Sequence, residues 1–173
     1  MKPRERLRNA HLLLVTDPRP DLKARVAVAV RGGVDIGQLR EKHASRQEAL
    51  PLAVELKEIC EKADALFTVN DDIELARLSG AAGVHLGQED EAVASAREAL
   101  GPDAIVGRSA GTVDEALEAI QEGADYLGVG TVYTTPTKPD AKVTGLTLLR
   151  EVARIRPPIP WFAIGGVTLE TAR

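Results

Sequence analysis

The chain has 173 residues, 44% of them hydrophobic, 28% charged and 3% aromatic, with one cysteine and a net charge of −4. That balance excludes a disordered chain, a collagen, a disulfide scaffold and a coiled coil, and predicts a single domain over residues 1–173 with one sizeable core. The negative charge argues against nucleic acid or an anionic membrane as the main partner. The lone Cys60 fits a reducing cytoplasm, and no apolar run nears the ~20 residues of a membrane helix.

Short apolar runs recur at 11–15, 34–39, 66–69, 83–86, 104–107, 126–130 and 160–165. They are apolar on consecutive positions, as strands of a parallel sheet covered on both faces should be. Between them the pattern turns helical. Residues 46–63 place Ala49, Ala53, Leu56, Cys60 and Ala63 on one stripe. Ser45 with Glu48 reads as its capping box, while Pro51 opposes helix in the first turns. Helical segments at 72–79 and 91–100 stop at Gly80 and Gly101. Thr112 with Glu115 is a second capping-box signature, closed by Gly123. A helix near 146–155 stops at Pro157-Pro158, and Thr168 reads as the N-cap of one more.

Strand and helix thus alternate seven times, which predicts a parallel sheet with right-handed crossovers. An open doubly wound sheet and a barrel both fit. The first strand is followed by Val15-Thr16-Asp17-Pro18 rather than a G-x-G-x-x-G fingerprint, which weakens a dinucleotide fold. A barrel places its functional groups at the carboxyl ends of the strands and normally takes roughly 200 to 250 residues, so this chain is short for one.

Those strand ends are rich in polar groups. The second runs into Gln38, Arg40, Glu41 and Lys42, whose cations suit a phosphate ester. The third ends in Asn70-Asp71-Asp72 and the fourth in His85-Leu86-Gly87-Gln88-Glu89-Asp90. Carboxylates from neighbouring strand ends suit Mg²⁺. Asp72 and Glu89 also sit where helix N-termini favour acids, and that role competes at Asp71 and Asp90. His85 reads as a core histidine rather than a metal ligand. Ser109 has no nucleophile elbow around it, which speaks against a serine hydrolase. Thr134, Thr135, Thr137 and Lys138 make a plausible phosphate cradle, as does Gly165-Gly166 before Thr168. Together these ends predict a barrel enzyme acting on phosphorylated small molecules with Mg²⁺.

The segments Q-L-R-E-K (38–42), V-N-D-D-I-E-L-A (69–76), G-V-H-L-G-Q-E-D (83–90), G-A-D-Y-L-G-V-G (123–130), T-P-T-K (135–138) and A-I-G-G-V (163–167) resemble the thiamine phosphate synthase family. The resemblance implies a TIM (β/α)8-type barrel, with about seven βα units in this chain and the eighth strand missing. It implies a transferase of thiamine biosynthesis that joins a pyrimidine methyl diphosphate to a thiazole ethyl phosphate and releases pyrophosphate. Gln38, Leu39, Arg40, Glu41, Lys42 and Asn70 would hold the pyrimidine diphosphate, and Asp71 and Asp90 the Mg²⁺. Ser109 and Lys138 would contact the pyrimidine substrate and its diphosphate. Thr135 and Thr137, with Pro136 between them, and Gly166 would hold the thiazole phosphate. Arg40, Lys42 and Lys138 would neutralise the leaving diphosphate. A related thiazole tautomerase, or an inactive phosphate-binding fragment, are the competing readings.

Overall fold

In the computed structural model, residues 2–135 and 142–172 are described. A short helix α1 (Pro3–Leu7) precedes seven strands: β1 (Leu13–Val15), β2 (Ile36–Leu39), β3 (Leu66–Asn70), β4 (Gly83–Leu86), β5 (Ile105–Ala110), β6 (Tyr126–Val129) and β7 (Trp161–Ala163). The intervening helices are α2 (Leu22–Arg31), α3 (Arg46–Lys62), α4 (Ile73–Ser79), α5 (Val93–Leu100), α6 (Val113–Gln121) and α7 (Gly145–Ile155). All strands pair in parallel, in the order β1 to β7. The sheet is strongly curled. Gln38 of β2 reaches the hydroxyl of Tyr126 on β6 at 3.4 Å, although strands four places apart in a flat sheet would be ~19 Å apart. The result is a nearly closed barrel with one unsealed seam between β1 and β7.

Alternation along each strand divides the apolar residues in two. Leu39, Phe67, Val69, Val84, Leu86, Val106, Leu127 and Val129 face outward and pack under the helices. Ile36, Leu66, Ile105, Tyr126 and Phe162 face inward and join Leu7 and Ala10, so α1 lies across the amino end of the lumen. Three ion pairs hold α1 there: Lys2 with Asp103, Arg4 with Asp125 and Arg6 with Asp64. At the same end Asp35 accepts from the N–H groups of His11 and Leu12, and Asp125 from that of Val106.

The helix starts follow the cap chemistry. Ser45 and Glu48 close a full capping box, and α3 continues through Pro51. Proline costs that helix one backbone bond, while Ala49, Ala53, Leu56 and Cys60 are all buried beneath it. Thr112 caps α6 through the N–H of Glu115, but the Glu115 carboxylate accepts from Gly111 N (2.6 Å) instead of completing the predicted box. The helix expected after Thr168 is a turn among the described residues, closed by Ala172 N–H donating to Thr168 O at 2.9 Å. Among the described residues no helix is long and apolar enough to cross a membrane.

Candidate active site

Inward-facing positions at the carboxyl ends of β2 to β6 converge on one mouth. From β2, Gln38 is buried in the lumen, and Arg40 is half-buried just above it. The Arg40 N–H donates to Thr16 Oγ1 (3.1 Å), which secures the β1 and β2 ends together. Its guanidinium has no ion pair or hydrogen bond among the described residues, which leaves a forked donor for an anion. Leu39, predicted to bind substrate, turns its side chain outward into the helix-side core and is 1% exposed. Glu41 bends back to accept from the N–H groups of His43 and Ala44, so its carboxylate shapes its own loop.

Asp71 follows β3 in the left-handed region, at φ 65°, a conformation aspartate tolerates better than most residues. Its N–H still donates to His85 O (2.8 Å), and the chain then turns into α4 with Asp72 as N-cap. Asp72 is occupied there, bonded to Leu75 N and paired with Arg46. The Asp71 carboxyl meets that of Asp90, from the loop after β4, and also pairs with the Lys42 ammonium. Asp90 accepts from Gly87 N at 2.5 Å. Burial raises the Asp71 pKa, and its contact with Asp90 raises it further against the pull of Lys42. Burial also opposes ionisation of Asp90, but bonds from Asp71 and Gly87, with Lys42 and Arg108 nearby, hold its pKa below the ordinary value. The two facing carboxyls are thus pushed in opposite directions, Asp71 up and Asp90 down. This donor set fits Mg²⁺, which takes one or two carboxylates and completes its shell with water and phosphate oxygens. No larger metal-ligating cluster exists among the described residues.

Below this pair the lumen is polar and buried. His85 is 5% exposed, with Nδ1 3.1 Å from Tyr126 Oη and Nε2 3.0 Å from Ser109 Oγ. Burial lowers its pKa to about 4, with Arg108 adding to the effect and Asp90 opposing it. The core-histidine reading therefore holds, with both ring nitrogens satisfied. Gly107 of β5 makes room for this arrangement: a Cβ there would lie 2.1 Å from Tyr126 Cζ and 2.5 Å from His85 Nδ1.

On the far side, the N–H groups of Val132 and Tyr133 donate to Ile164 O and Gly165 O, each at 2.9 Å. This zips the loop after β6 to the loop after β7. Gly166 has φ 66°, and a Cβ on it would stand 2.5 Å from Thr134 O. The structure therefore brings the approach to half-buried Thr135 against Gly166. Pro136, Thr137 and Lys138 lie outside the described residues.

Several site-forming groups escaped the sequence reading. Arg108, 7% exposed, donates to Gly87 O (2.7 Å) and Glu91 O (3.2 Å), bracing the loop that carries Asp90. A charged residue directly after the apolar run 104–107 was the signal for it. Thr16 and Tyr126 gave none, because their roles depend on which strands lie opposite. A cavity of about 320 Å³ opens at the amino end, lined by Arg6, Lys57 and Glu61 among others, but these charges are already paired within the chain.

A family model described as thiamine monophosphate synthase matches residues 12–173. A thiamine-phosphate synthase of Synechocystis is 48% identical over 163 residues, covering 94% of this chain and 47% of that protein. One from Synechococcus is 46% identical over 172 residues, covering 96% and 48%. The solved thiamine phosphate pyrophosphorylase of Pyrococcus furiosus superposes with a TM-score of 0.84 at 37% identity, over 98% of this chain and 80% of that one. The chain spans about half the length of the curated relatives it matches.

Proposed function

Because the chain belongs to the thiamine monophosphate synthase family, we propose that it is a cytoplasmic transferase that makes thiamine phosphate. It joins 4-amino-2-methyl-5-hydroxymethylpyrimidine diphosphate to 4-methyl-5-(2-phosphoethyl)thiazole. The thiazole nitrogen forms a bond to the pyrimidine methylene carbon, the carbon–oxygen bond to the diphosphate breaks, and pyrophosphate leaves with the electron pair.

The observation that carries this reading is the Asp71–Asp90 pair with Lys42 against it and Arg40 at the adjoining strand end. Mg²⁺ held by the two carboxylates would supply charge to the departing diphosphate. Arg40 and Lys42 bind and orient the same phosphates, and Lys138 joins them by the family pattern. Gln38, Asn70 and Ser109 hold the pyrimidine end of the substrate, and Glu41 and the backbone at Leu39 shape the wall beside it. Thr135, Pro136, Thr137 and Gly166 cradle the thiazole phosphate. The site is rich in anion ligands and, among the described residues, lacks an activated nucleophile, as suits a reaction whose nucleophile is the second substrate. A tautomerase would have no use for a diphosphate site.

The deciding experiment incubates the protein with both substrates and Mg²⁺ and follows thiamine phosphate and pyrophosphate together. Equimolar formation of both is expected. A folded protein that yields neither would refute the assignment.

A further inference from the structure

The lumen contains a hydrogen-bond chain whose direction is set by its deepest member. Gln38 Nε2 can only donate, so at 3.4 Å the Tyr126 oxygen accepts from it. The phenol proton then has one partner within reach, His85 Nδ1 at 3.1 Å. Thr68 lies beside the same phenol, but its buried hydroxyl does not reach hydrogen-bond geometry among the described residues. Nδ1 is therefore the bare nitrogen of the ring. A neutral imidazole with a bare Nδ1 carries its proton on Nε2, and that proton faces Ser109 Oγ at 3.0 Å. The Ser109 oxygen thereby accepts from the ring, and its own proton remains free to donate. Exposure follows the same sequence: Tyr126 and Gln38 are sealed at 0% and 2%, His85 at 5%, and Ser109 is half-buried at the mouth.

We infer that Tyr126 and His85 are positioning residues that hold Ser109 as a hydrogen-bond donor, aimed at an acceptor atom of the bound substrate. The acceptor class is an sp² ring nitrogen of a neutral heteroaromatic. This deepens the proposed function and rests on it for the ligand, while the direction of the chain rests on the protein alone. Two strands pack against the ring: β5 through Gly107 and Ser109, and β6 through Gly128 and Tyr126. A Cβ at Gly128 would stand 3.0 Å from His85 Cε1, so both neighbouring strands leave only enough space for the ring in this setting.

The first test is the tautomer, read by long-range ¹H–¹⁵N NMR on the intact protein near neutral pH without ligand. A proton on Nε2 and none on Nδ1 is expected. A proton on Nδ1 would overturn the relay, whatever the protein catalyses. The second test measures affinity for the pyrimidine diphosphate, with pyrophosphate alone as the control probe, both with Mg²⁺. Ser109→Ala and Tyr126→Phe should each weaken the pyrimidine compound by about tenfold while leaving pyrophosphate unchanged, and the double variant should be no weaker than Ser109→Ala. Full additivity would overturn the relay. His85→Gln, which can offer an amide N–H near the Nε2 position, should retain more affinity than His85→Leu; equal loss in both would again overturn it. If the wild type binds pyrophosphate but no pyrimidine compound, the proposed function fails while the NMR result still decides the relay.

Discussion

Holding His85 neutral inside the barrel makes stability depend on mild acid. In the unfolded chain its pKa returns from about 4 to the ordinary 6.5. Between these values the unfolded state binds a proton that the folded state refuses, so stability rises with pH and the contribution is complete only above 6.5. A shift of that size has a limit of about 3 kcal/mol, of which about 2 kcal/mol is lost by about pH 5. The assay is urea unfolding at about pH 7 and about pH 5, on the wild type and on His85→Gln. The wild type should lose about 2 kcal/mol more than the variant over that interval, at an unchanged m-value. Carboxylates with lowered pKa values, such as Glu48 and Glu74, act below this window and are present in both proteins. Parallel losses in the two proteins would refute the buried, neutral histidine.

Gly107→Ala should cost about 3 kcal/mol or more in thermal or urea unfolding, because a methyl there collides with Tyr126 and His85. Gly111→Ala, whose Cβ would sit 3.4 Å from Glu115 Oε2, should change stability by less than about 1 kcal/mol. Asp90→Asn keeps an acceptor for Gly87 N and should fold, but Mg²⁺ with pyrophosphate should no longer raise its melting temperature as it does in the wild type; an equal rise would remove Asp90 from the cation site. Arg108→Met strips buried bonds from Gly87 O and Glu91 O, so it should cost about 2 kcal/mol. Hydrogen exchange at 87–91 should accelerate in that variant, and unchanged protection there would show that the loop does not depend on it.

Most of the architecture was legible because a parallel strand covered on both faces must be apolar at consecutive positions, and each of the seven runs became a strand. The same uniformity hid which residues face inward. Leu39 and Gln38 are neighbours in one run, yet one packs under helices and the other lines the lumen. Helix α1 was illegible for a different reason. It is five residues long and mostly charged, too short for any periodicity, and it is held by Asp103, Asp125 and Asp64 from distant parts of the chain. The meeting of Asp71 and Asp90 could be read from local motifs at two strand ends. The Gln38–Tyr126–His85–Ser109 chain could not, since it depends on curvature that brings β2 opposite β6.

The closed floor of the barrel bears on the order of events in the proposed reaction. Leu7 and Ala10 lie with Ile36, Leu66, Ile105, Tyr126 and Phe162 across the amino end, so ligands do not enter from that end and the carboxyl mouth is their way in. Ser109 stands over the buried chain, whereas Thr134 and Gly166 meet in the loops beyond β6 and β7. A molecule seated on Ser109 is therefore trapped beneath whatever later occupies those loops. Steady-state kinetics should be ordered, with the pyrimidine diphosphate loading first and the thiazole phosphate closing the queue.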